Sequence, residues 1–117
     1  MGKVTIYHNP KCSNSRGALD LIREKGIEPE VVEYLKTPLS KAQLQALLQK
    51  LGISVRDVLR EKEAAYQDLG LADPSLAEDV LLEAIVAHPV LMNRPIVVTG
   101  KGAALCRPPE TVLGLLP

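Results

Sequence analysis

Val4-Thr5-Ile6-Tyr7-His8-Asn9-Pro10-Lys11-Cys12-Ser13-Asn14-Ser15-Arg16 runs from an alternating apolar segment into a polar turn and on into a helical pattern. Residues 3–8 alternate as a strand does, with Val4 and Ile6 on one face. Residues 13–25 read as a helix, with Ala18, Leu19, Leu21 and Ile22 as its buried stripe and Gly26 as its stop. Cys12 therefore falls where a strand ends and a helix begins. The first N–H groups of a helix and the positive end of its dipole favour a thiolate over a thiol. The same groups favour an oxyanion bound beside the sulfur. Polar neighbours on both sides, Lys11 and Ser13-Asn14-Ser15, mark this cysteine as reactive rather than packed.

Working outward, Glu30-Val31-Val32-Glu33-Tyr34 is a second strand, so the first third is strand, helix, strand, a parallel β-α-β unit. Ser40 to Gln43 has the form of a capping box, followed by Leu44, Leu47, Leu48 and Leu51 at helical spacing before Gly52. Residues 54–71 read as short helical turns. Ser75 to Glu78 repeats the capping signal and opens a helix through about Ala87, which Pro89 ends. Strand character returns at 95–99, Gly100-Lys101-Gly102 turns the chain, and 103–107 pairs back as a hairpin. Pro108-Pro109-Glu110 starts a final helix over 111–116. The order β-α-β, helices, β-β-α predicts an α/β fold with a thioredoxin-like mixed sheet. Residues 1–117 form one domain in this reading, with a helical insertion at about 40–88.

Composition removes several classes of function. The 117 residues carry fourteen basic and fourteen acidic side chains, which argues against nucleic-acid binding driven by bulk charge. Three Tyr, no Phe and no Trp argue against base stacking and require an aliphatic core. The N-terminus lacks a secretory signal pattern, Gly2 lacks the context for myristoylation because Ile6 stands where Ser or Thr is needed, and no apolar run is long enough for a bilayer. Two widely spaced cysteines fit a reducing compartment. The expectation is a cytoplasmic monomer with no membrane and no nucleic-acid partner.

Other residues bear on Cys12. Ser15 occupies the second position of a C-x-x-C arrangement, so a second thiol must come from glutathione or a partner protein. His8, if protonated, would hold the thiolate by charge, directly or through water. His88 reads as a helix-end residue, and Arg16, Arg23 and Arg56 as solvated charges. Arg94 and Arg107 each precede a proline beside the hairpin; Pro95 is the candidate for the cis proline that marks the nucleophile's neighbourhood in thioredoxin-like domains. Guanidinium groups bind tetrahedral oxyanions in a bidentate fashion that lysine cannot reproduce. Alternation puts Cys106 on the face opposite Arg107, as a packed thiol. P-loop, G-x-G-x-x-G and Cys/His zinc patterns are absent, and the phosphatase loop C-x-x-x-x-x-R fails at Ala18. Neither a metal nor a bound cofactor is expected.

The chain resembles the glutaredoxin-linked arsenate reductases, the ArsC family. The resemblance rests on Ile6 to Arg16, on Gly52-Ile53-Ser54-Val55-Arg56-Asp57-Val58-Leu59-Arg60, on His88-Pro89-Val90-Leu91-Met92-Asn93-Arg94-Pro95-Ile96-Val97-Val98, and on Leu105-Cys106-Arg107-Pro108. It implies that Cys12 attacks arsenate to form a covalent adduct and that Arg60, Arg94 and Arg107 bind the anion. It further implies that His8 favours the thiolate, that glutathione attacks the adduct, and that glutaredoxin resolves the mixed disulfide. Typical members carry a longer C-terminal tail than Leu115-Leu116-Pro117; it lies beyond the matched motifs, so the difference bears on partner docking before the core chemistry. Two other readings are a glutathione-dependent thiol reductase for another substrate and a redox regulator of the Spx type that binds RNA polymerase. Ser15 and the three arginines rank arsenate reduction first.

Overall fold

The computed structural model describes residues 3–117; the sequence reading of Met1 and Gly2 lies outside them. Four strands form one mixed sheet in the order β2-β1-β3-β4, where β1 is Thr5–Tyr7, β2 Glu30–Val32, β3 Ile96–Thr99 and β4 Gly102–Leu105. β1 pairs parallel with β2 and antiparallel with β3, and β3 with β4 forms the antiparallel hairpin. The thioredoxin-like order expected from the sequence is present. The helices are α1 Ser13–Glu24, α2 Lys41–Leu51, α3 Val55–Val58, α4 Ala64–Asp68 and α5 Glu78–Ala87. The chain divides into two compact units, one made of the residues through Thr37 with Arg94–Pro117, the other of Pro38–Asn93.

In the sheet unit, α1 buries Ala18, Leu19 and Ile22 at helical spacing against Val4, Ile6 and Val97. Val112 and Leu116 join the same core. Gly17 lets the last segment come close: a Cβ there would sit 3.0 Å from Pro109 Cγ. That segment is a 3-10 helix over Pro109–Gly114 and not the predicted helix over 111–116. Its six residues begin at a proline and are too few for a stable isolated α-helix. Ile6 lies on β1, one of the two inner strands, and is fully buried. Ile6→Ala should therefore lower unfolding free energy by about 3 kcal/mol, read from urea denaturation.

In the helical unit, α2 opens as its sequence predicts. Ser40 and Gln43 close a reciprocal capping box, and Gly52 ends the helix in the left-handed conformation at φ 68°. Leu44, Leu47 and Leu48 are buried on α2, Val55 and Val58 on α3, and Leu81, Leu82 and Ile85 on α5. The second capping expectation fails. The Ser75 hydroxyl donates to Asp73 Oδ1 at 2.7 Å, so it is engaged in a turn, and α5 begins after Ala77 with no side-chain cap. Arg56, expected in solvent, donates to the Leu71 carbonyl at 2.8 Å and to the Asp73 carbonyl, tying down the loop before α5. Among the described residues, no helix is long and apolar enough to cross a membrane.

Candidate active site

Cys12 is the N-cap residue of α1, with extended backbone angles, and is half-buried. The turn before it is held at several points. The Cys12 N–H donates to the Asn9 carbonyl at 3.0 Å, and the Lys11 N–H donates to Asn9 Oδ1 at 3.0 Å. Arg16, expected to be a solvated charge, donates from Nη1 to the Pro10 carbonyl at 2.9 Å. The sulfur closes no cap hydrogen bond, but the Ser15 N–H is oriented to favour its anion.

The hairpin supplies the opposite side of the site. Arg107 Nη1 lies 3.7 Å from Cys12 Sγ and donates to the Arg94 carbonyl at 2.8 Å. The Arg94–Pro95 and Arg107–Pro108 peptide bonds are both cis. Partial burial by itself would push the Cys12 thiol up. The Ser15 N–H and the guanidinium groups of Arg94 and Arg107 outweigh that and bring it down to about 7. Alkylation of Cys12 by iodoacetamide should accordingly rise with pH to half its limiting rate at about pH 7, because only the thiolate reacts. Mass spectrometry of the labelled chain across pH checks this. Cys106 should stay unlabelled under native conditions. It is fully buried in the sheet core, and burial pushes its thiol up to about 11. The strand expected over 103–107 ends at Leu105, so Cys106 and Arg107 follow β4; Cys106 packs in the core and Arg107 reaches the Cys12 sulfur.

His8 reaches the site through Ser15. It is buried, and desolvation lowers its pKa, with Glu33 pulling the other way. Its Nδ1 lies 2.6 Å from Ser15 Oγ, so its hydrogen-bond partner is that hydroxyl. Ser15 is fully buried, and its Oγ already accepts the Asn9 N–H at 3.0 Å. The hydroxyl has a second lone pair as well as a proton, so it pairs with Nδ1 of either a neutral or a protonated ring. Positive charge beside the sulfur comes from Arg94 and Arg107.

Arg60 belongs to the helical unit. There its Nε donates to Glu63 Oε1 at 3.1 Å and its Nη1 to Asn93 Oδ1 at 3.2 Å. Asn9 is the residue that the sequence reading missed; its position between a strand and a proline was the available signal, since Asn there favours a turn. No group of three or more His, Cys, Asp or Glu side chains among the described residues could hold a metal ion. A groove of about 420 Å³ in the helical unit, lined by Gln45, Leu48, Gln49, Glu78 and Leu82 among others, offers neither a thiol nor a guanidinium.

A thiolate at a helix N-terminus, faced by two arginines from a hairpin, can attack an electrophilic oxyanion and hold the charge that develops. The model of the ArsC family matches residues 7–115. The chain belongs to the ArsC family. An arsenate reductase of Rhizobium meliloti (strain 1021) is 54% identical to it over 114 residues, which are 97% of this chain and 81% of the relative. The Escherichia coli (strain K12) protein YfgD, described as uncharacterized, is 52% identical over 115 residues, 97% of each chain. The solved structure of an arsenate reductase from Vibrio cholerae superposes with a TM-score of 0.94 at 48% identity, covering 97% of this chain and 98% of the other. These matches cover residues of both units.

Proposed function

We propose that this chain reduces arsenate to arsenite through a covalent adduct on Cys12, with glutathione and glutaredoxin as external thiol reductants. The observation that carries the reading is the Cys12 sulfur placed between the α1 N-terminus and the guanidinium groups of Arg94 and Arg107. The Cys12 thiolate attacks arsenic(V), an S–As bond forms, and one oxygen leaves as water. Arg94 and Arg107 hold the remaining oxygens and offset their charge. The family resemblance extends that duty to Arg60. Glutathione then attacks the adduct. A disulfide forms between the glutathione sulfur and Cys12, and the electron pair passes to arsenic, which departs as arsenite. Glutaredoxin reduces the mixed disulfide and returns Cys12 as a thiolate. Ser15 supports this division of labour, because no second thiol follows Cys12 within the C-x-x-C spacing.

The reading places the protein in the cytoplasm, where glutathione is reduced, acting as a monomer without a bound cofactor. A coupled assay tests it: arsenate, glutathione and glutaredoxin are supplied, and arsenite is measured. Arsenite formation that needs both thiol components supports the reading. Reduction of mixed disulfides with no arsenite formed would replace it with a thiol reductase of another substrate. Inertness in both assays, with retention of RNA polymerase, would replace it with a regulator.

A further inference from the structure

Asn9 spends each backbone polar group and its side-chain oxygen on the segment around Cys12. Its N–H donates to Ser15 Oγ at 3.0 Å, its carbonyl accepts from the Cys12 N–H at 3.0 Å, and its Oδ1 accepts from the Lys11 N–H at 3.0 Å. The residue is 6% exposed, so water cannot readily replace these partners. An Asn oxygen that accepts the N–H two residues on makes an Asx turn, which mimics a backbone turn and fixes where the chain enters the helix. The result is directional. The N–H groups of Lys11 and Cys12 are turned inward onto Asn9, and the Ser15 N–H is left facing the sulfur.

We propose that Asn9 is a positioning residue for Cys12: its side chain holds the turn that presents the sulfur to the Ser15 N–H and to the Arg94 and Arg107 guanidinium groups. Asn9 touches no reacting atom in this scheme and acts through the turn. The proposal rests on Cys12 being the reacting thiol but not on the identity of the substrate. Groups with charge or protons around the sulfur are Arg94 and Arg107 from the hairpin and His8 behind Ser15, with Lys11 and Arg16 flanking in sequence. All of them are retained when Asn9 alone is replaced.

The test follows alkylation of Cys12 by iodoacetamide across pH in wild type, Asn9→Ala and Asn9→Ser, with thermal unfolding recorded on the same samples. Loosening the turn should move the half-maximal pH of Asn9→Ala upward by about one unit and slow labelling at about pH 6 roughly tenfold. Asn9→Ser, whose hydroxyl makes the same turn more weakly, should fall between wild type and Asn9→Ala. A merely structural Asn9 would lower the unfolding temperature and leave the half-maximal pH in place, and that result overturns the proposal. If Asn9→Ala does not fold, Asn9→Ser decides alone: an upward displacement supports the proposal and an unchanged midpoint overturns it. Wild-type protein that labels as expected yet forms no arsenite would remove the arsenate reading and leave this one standing.

Discussion

Cys12→Ser should bring arsenite formation down to the background rate of glutathione and glutaredoxin without enzyme. A serine hydroxyl at this position stays protonated near neutral pH, so neither the Ser15 N–H nor the arginines have an anion to stabilise. Nor can an oxygen take part in the S–S bond whose formation sends two electrons to arsenic, so the loss is of mechanism and not only of rate. The fold should be untouched, because Cys12 is half-buried and its sulfur makes no cap hydrogen bond. Unfolding temperature measured beside the coupled assay separates the two. Residual turnover well above background in Cys12→Ser would sink the proposed function. Substituting the other thiol makes the contrast: Cys106 lies in the sheet core, and Cys106→Ala should lower stability while turnover survives.

Arg107→Ala should lower kcat/KM for arsenate roughly a hundredfold, the scale for losing one charge-stabilising donor from a partly enclosed site. Arg94→Ala should fall in the same range. Each arginine has two tasks here, holding the thiolate and holding the oxyanion, and a lysine separates them. Arg107→Lys retains a positive charge near the sulfur, so the half-maximal pH of Cys12 alkylation should remain nearer to about 7 than in Arg107→Ala. The planar fork is lost, so turnover should recover less than the thiolate does. Equal recovery of both in Arg107→Lys would mean that Arg107 serves the thiol alone. Both guanidinium groups act on the Cys12 sulfur, so the two substitutions should not add.

Local pattern carried much of the architecture. Alternation at residues 3–8, the stripe of Ala18, Leu19 and Ile22, the Ser40 and Gln43 cap and the Gly100 to Gly102 turn each act over a few residues, and the structure keeps them. Pattern failed where a nearby side chain competed for the same group. Ser75 was a fair cap by spacing, but Asp73 sits two residues away and captures its hydroxyl. Arg56 looked like any surface charge until the loop at Leu71 and Asp73 brought carbonyls to it.

The same division runs through the candidate site. By itself the sequence determined that one cysteine stands at a strand-to-helix junction among polar residues, that position 15 is not a second thiol, and that arginines precede two prolines near the end of the chain. These are properties of neighbours along the backbone, and periodicity and residue chemistry are enough to read them. Only tertiary structure decided that Arg107, 95 residues from Cys12, reaches its sulfur, and that Ser15 and His8 share a buried hydrogen bond. It also decided that the His8 pKa is lowered, because desolvation depends on everything packed around the ring and not on the letters beside it.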